Sequence, residues 1–206
     1  MTNKDSAGKM ESVDIQFLVD EAINEHGKIR NIVSLLYDED LERRFIAVKA
    51  LGEIAKREPD LMQRRWERIF RSFDDTMSCW GAAEALGEIA RNMPGIRSKI
   101  ALFLRVFKKD DCGCQGYIWG MCRICQVEKG KIKDFVPELE GFLISSNVCI
   151  RGQAVWALGE LGIREAAPRM KELMQDEGET WYYENDAVRR GKIRTIAEEA
   201  LKKLGT

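Results

Sequence analysis

Apolar residues recur along this chain at the spacing of one helical face. From Ala47 onward, the positions Ala47, Ala50, Leu51, Ile54 and Ala55 follow i, i+3, i+4, i+7 and i+8, while Lys49, Glu53 and Lys56 occupy the other side. That spacing predicts an amphipathic helix, and the small residues of its buried stripe allow a neighbouring helix to approach closely. The stretch then repeats. Residues 47–55 return as 82–90, with Ala50 and Ala85 offset by 35 residues, and return again as 154–162. A degenerate copy occupies 117–125, another 35 residues on; the next step is 37, and the last, to residues 197–204, is 43. A period in this range marks a stacked array rather than a globular core.

Another helix is predicted ahead of each copy, over residues 29–37, 61–73, 96–107, 135–144 and 166–174. Turns are marked by Asp38-Glu39-Asp40, Asp74-Asp75, Asp110-Asp111 and Ser145-Ser146-Asn147, and by Pro59 and Pro94. The unit is a pair of antiparallel helices, and about five such pairs build an all-α superhelix, an α-solenoid. No alternating period-2 run competes with helix. Residues 1–12 read as a flexible polar tail and 13–206 as one repeat domain.

Charge narrows the partners. Lys plus Arg number 33 against 34 for Asp plus Glu, and this near neutrality removes the electrostatic warrant for general nucleic-acid binding. With no signal-peptide apolar region and no stretch of membrane-spanning length, a cytoplasmic protein is expected. In a reducing compartment the six cysteines, Cys79, Cys112, Cys114, Cys122, Cys125 and Cys149, read as thiols or metal ligands rather than staples.

Asp40 and Arg44 followed by Ala-x-x-Ala-Leu-Gly-x-Ile, with the counterparts along residues 29–205, resemble the HEAT-like repeat of bilin lyases and many bacterial repeat proteins. The resemblance implies that the second helix of each repeat lines the concave face. It also implies an inter-repeat ladder between Asp40, Asp75, Asp110 or Asn147 and the slot held by Arg44, Arg151 and Arg194, which Cys79 and Cys114 occupy in two repeats. It implies no single activity, because that superfamily holds scaffolds, lyases, hydroxylases and DNA glycosylases.

On the second helices, positions opposite the Ala/Leu stripe form rows across the repeats: Phe45, Trp80, Gln115, Gly152, Thr195; then Lys49, Glu84, Trp119, Trp156, Glu199; then Glu53, Glu88, Arg123, Glu160, Lys203. Trp80, Trp119 and Trp156 are therefore expected as anchors for a protein or peptide partner in the concave groove, with Glu84, Glu88, Arg123 and Glu160 setting charge complementarity. Trp119 and Trp156 point away from the stripe and are expected to be exposed, whereas Trp66, on a first helix, is expected to fill space. Cys122 and Cys125 replace small residues of the stripe and are expected in the core.

Cys79, Cys112, Cys114 and Cys149 fall at loop-to-helix junctions, where helix N-termini favour thiolates; they are the candidate ligands of zinc or an iron–sulfur cluster, an alternative to the expectation of no cofactor. The lone His26 lies before the repeats, so no Ser–His or Cys–His arrangement is available within the array and no catalytic residue is assigned. Residues 176–186 are an insertion with Trp181, Tyr182 and Tyr183 among five acids, expected to fold back onto the concave mouth or to shield the last repeat. The functional expectation is a non-catalytic scaffold that binds a protein or peptide segment. A cysteine-based metal or redox accessory protein is the alternative, and a lyase or glycosylase-like enzyme stands third.

Overall fold

A computed structural model describes residues 7–67, 81–184 and 187–205 of the chain. The helices are α1 (Ala7–Asn24), α2 (Ile29–Leu35), α3 (Leu41–Arg57), α4 (Pro59–Gln63), α5 (Ala82–Asn92), α6 (Pro94–Leu104), α7 (Asp111–Val127), α8 (Ile132–Phe142), α9 (Val148–Leu161) and α10 (Ala167–Glu172). Strands β1 (Glu179–Glu184) and β2 (Ala187–Lys192) precede the last helix, α11 (Ile193–Leu204). The repeat architecture expected from the periodicity is present: α3, α5, α7, α9 and α11 pack side by side in one row, and the preceding helices form a second layer behind them.

Helix starts are chemically specified. Asp40 accepts from the Glu42 and Arg43 amides, Asp110 from Gly113, and Asn147 from Cys149 and Ile150, so each N-caps a second helix. Pro59 and Pro94 open α4 and α6, and Gly162 and Gly205 end α9 and α11 with φ of 72° in each case. An inter-repeat Asp–Arg pair of the expected kind forms at Arg151, which meets Asp176 of the following repeat at 2.9 Å, and Asn147 donates to Asp111 at 2.8 Å; Asp75 lies outside the described residues.

The row of second helices packs through its smallest residues. A Cβ added to Gly87 on α5 would lie 2.3 Å from the Cα of Gly120 on α7, and one added to Gly159 on α9 would lie 2.7 Å from the Ala200 Cβ on α11. Backbone therefore approaches backbone, and Ala50, Leu51, Ala85, Leu86, Ala157 and Leu158 are wholly buried between the layers.

Two sequence expectations change. Residues 7–12, read as loose tail, belong to α1, whose later turns bury Val19 and Ala22 in the core and which packs on α3. The insertion read as a loop at residues 176–186 contains β1, which pairs antiparallel with β2, Trp181 opposite Arg190 and Tyr183 opposite Val188. The run Thr180-Trp181-Tyr182-Tyr183 consists of strand-favouring residues, but an isolated two-stranded hairpin is marginal in water, so the helices beneath it must hold it.

Candidate functional site

The hairpin is held at its base and along one strand. Ile193 N–H donates to the Gly178 carbonyl (2.9 Å) and Arg194 N–H to that of Asp176 (3.1 Å). Glu177 bridges Lys192 (2.6 Å) and Arg194 (2.7 Å). Along β1, Thr180 sits over Gly152, where an added Cβ would be 2.4 Å from its Cγ2, and Gln153 Nε2 donates to the Trp181 carbonyl at 3.3 Å. The absence of a side chain at Gly152 is thus what lets the strand lie on α9.

Tyr183 is driven into the row of second helices. Its ring stacks on Phe45 of α3 at 4.6 Å and meets Trp119 of α7 at 5.0 Å, Trp156 of α9 at 6.3 Å and Trp181 at 5.2 Å. Helices packed in a flat row stand about 10 Å apart, so α3 and α9, with two helices between them, would be too distant to share one ring. The row therefore curves around Tyr183, which makes this face concave.

This arrangement corrects the expected exposure of the tryptophans. Trp119 is 2% and Trp156 5% exposed, both beneath the hairpin. Their helical phase does point away from the Ala/Leu stripe, but the chain itself fills the space they face. Trp66 is buried against Phe103, as expected. Trp80 and Cys79 lie outside the described residues.

The charged residues of the site pair with one another. Glu88 receives Arg123 Nε at 2.8 Å and lies 3.7 Å from Lys49. Arg123 reaches Gln126, Gln126 donates to Glu160, and Lys203 bonds Glu160 at 2.7 Å. Glu88, Arg123 and Glu160, expected to set the charge seen by a partner, instead form a ladder across successive repeats, with the Arg123 guanidinium 5.4 Å above the Trp119 ring. The rows contained this signal, because Glu88–Arg123 and Glu160–Lys203 are same-row neighbours of opposite charge.

Glu84 stands apart from that ladder. It is 5% exposed, with Oε2 lacking a hydrogen-bond partner, and burial raises its pKa from 4.5 to about 7 against the opposing pull of Arg44. Burial pushes the Tyr183 phenol well above its usual range, and the Glu84 carboxylate adds to the effect.

Because Glu84 holds its proton more tightly folded than unfolded, the stability it contributes is complete below pH 4.5 and is lost as pH rises towards 7. Urea unfolding of the wild type is expected to show a fall on the order of 3 kcal/mol across that window. Glu84→Gln should remove that pH-dependent component.

Gln115 Oε1, Trp119 Nε1, Gln153 Oε1 and Trp156 Nε1 are likewise buried and make no hydrogen bond. Gln115 lies one turn before Trp119 on α7, and Gln153 three residues before Trp156 on α9, so all five belong to the inner face around Tyr183. Each unpartnered group of this kind costs roughly 1–3 kcal/mol. None of Tyr183, Phe45, Gln115 and Gln153 is in the expected binding set, although Phe45 and Gln115 stand in the first row of inner-face positions and the aromatic insertion carries Tyr183.

Of the four candidate thiols, Cys114 and Cys149 have described side chains. Cys114 is 3% exposed, and burial raises its pKa to about 11, opposite to the lowering expected at a helix N-terminus. Cys149 is half-buried, and Cys112 lies in the first turn of α7. Among the described residues, no group of three or more His, Cys, Asp and Glu is placed to hold a metal ion. Cys122 and Cys125 are fully buried in the core, and burial raises both thiols, Cys125 to about 11. Native-state alkylation read residue by residue should therefore modify Cys149 well ahead of Cys114, Cys122 and Cys125; equal rates would contradict this burial. His26 is exposed in a short 3₁₀ turn.

Comparison with known families agrees with this architecture. Residues 150–176, which span α9 and α10, match the family model of the PBS lyase HEAT-like repeat. The chain thus carries a HEAT-like repeat within an all-α helical-repeat array that has one hairpin before its last helix. No curated protein matches it. Among the described residues, no helix is long and apolar enough to cross a membrane.

Proposed function

We propose that the chain is a non-catalytic interaction module that captures a protein or peptide segment in its concave groove, with Trp119 and Trp156 as the central anchors. The observation that carries this reading is the Tyr183 contact. A side chain from outside the helical array enters the groove and is gripped by aromatics from three repeats. By its spacing Trp80 belongs to the adjoining row one turn earlier, and Glu84, in the row of Trp119 and Trp156, supplies a buried acceptor. In this reading Glu88, Arg123 and Glu160 hold the groove wall in shape through their ladder rather than meeting the partner. A repeat array suits the task, because stacking produces an extended concave surface with no need of an active site.

Since both tryptophans are buried, alanine substitutions would confound binding with stability, and Trp→Phe is the better probe. The double variant Trp119→Phe/Trp156→Phe keeps an aromatic ring at each position while removing both indole N–H groups. Crosslinking of inner-face positions to a co-purifying partner should drop about tenfold in this variant, with its circular dichroism spectrum unchanged. Undiminished crosslinking would sink the reading.

A further inference from the structure

Strand β1 is itself an extended segment seated in the groove, and its fit is incomplete. It satisfies the groove sterically: Thr180 fills the space over Gly152, the Trp181 carbonyl takes the Gln153 amide, and Tyr183 fills the aromatic centre. It leaves Glu84 Oε2, Gln115 Oε1, Gln153 Oε1 and the two indole N–H groups without partners, although Glu84, Gln115, Gln153, Trp119 and Trp156 are all at least nine-tenths buried. A segment selected only to complete the fold has no reason to bury three acceptors and two donors unpaired.

We propose that the hairpin is a placeholder, and that the partner is an extended segment which displaces β1, sets an aromatic side chain in the Tyr183 position and hydrogen-bonds the groups β1 leaves bare. Extended geometry follows from the seat. β1 lies along α9 with Thr180 and the Trp181 carbonyl on Gly152 and Gln153, a spacing that a helical ligand would not reproduce. An aromatic is required because the space is a flat slot, with the Phe45 plane only 26° from that of Tyr183. N–H groups of the incoming segment or its side chains meet the Glu84, Gln115 and Gln153 oxygens, and its carbonyls accept from the indoles. The attachments that must give way are the pairing of β1 with β2, the Gln153 bond to the Trp181 carbonyl, and at the base the Ile193 and Arg194 amide bonds beside exposed Glu177 pairs worth little individually. This inference rests on the capture reading above.

The probe is a synthetic peptide with the sequence of residues 177–184, Glu-Gly-Glu-Thr-Trp-Tyr-Tyr-Glu, added to the full-length chain and followed by tryptophan fluorescence and calorimetry. In the wild type the tethered hairpin competes at an effective concentration on the order of millimolar, so the peptide should bind only weakly. In Tyr183→Ala the slot is vacated, and the peptide should bind at least about tenfold more tightly than to the wild type. A peptide with alanine in place of its second tyrosine should lose about tenfold on the same variant. Should Tyr183→Ala fail to fold, Tyr183→Leu keeps an apolar filler and serves the same comparison. No gain on either folded variant, or equal binding of the tyrosine and alanine peptides, overturns the placeholder assignment. If the peptide results fail while partner crosslinking still depends on Trp119 and Trp156, the placeholder alone is wrong. If both fail, the capture reading goes with it.

Discussion

Trp119→Ala is expected to lower the free energy of unfolding by about 4 kcal/mol, the largest single-residue loss in the inner layer. The side chain is 2% exposed, meets Phe45 at 6.4 Å and Tyr183 at 5.0 Å, and carries the Arg123 guanidinium on its face. Its loss leaves a cavity shared by α3, α7 and the hairpin, and backbone in close contact on either side gives little room to collapse. Hydrogen exchange should also quicken across β1 and β2, because Tyr183 loses one wall of its seat. Urea unfolding at fixed pH reads the first effect, and exchange of the amides of residues 179–192 reads the second. A loss below about 1 kcal/mol would mean that Trp119 stands in open space after all.

The second large effect is expected at Gly87→Val. Gly87 has an ordinary helical backbone, so its requirement is spatial: a Cβ there would come 2.3 Å from Gly120 Cα and 3.0 Å from its carbonyl oxygen. Gly120 is constrained in turn, since its own Cβ would lie 2.8 Å from the Ala83 carbonyl oxygen. These neighbours are backbone atoms that cannot rotate aside, so α5 and α7 must separate, at a cost of about 3 kcal/mol or more. In an array stabilised by nearest-neighbour interfaces, weakening one interface weakens the coupling of the two halves. Thermal unfolding of the variant should broaden or split, with the α9–α11 end outlasting α3 and α5. A single transition at the wild-type temperature would show that the two helices are not in backbone contact.

Both experiments also bear on function, because the groove exists only while the row of second helices is closely packed and curved. Gly87→Val should therefore reduce partner crosslinking without touching any anchor, and Arg123 provides a milder comparison through its bond to Glu88.

The sequence by itself determined the helical array. Helical periodicity, N-capping Asp40, Asp110 and Asn147, and glycines one repeat apart are local signals, each acting within a few residues or on the adjacent repeat. For the same reason the Glu88–Arg123 and Glu160–Lys203 pairs were legible as same-row neighbours, and the direction in which Trp119 and Trp156 point followed from helical phase. What lies in front of those tryptophans was decided only by tertiary structure. The curvature of the row brings α3 within reach of Tyr183, and it accumulates over several interfaces, none of which encodes it alone. The hairpin in turn owes its strand geometry to Gly152, Gln153 and the aromatic seat rather than to its own six-residue strands. The same burial sets the ionisation of Glu84 and Cys114, since desolvation depends on what the fold places around a group and not on its neighbours in sequence.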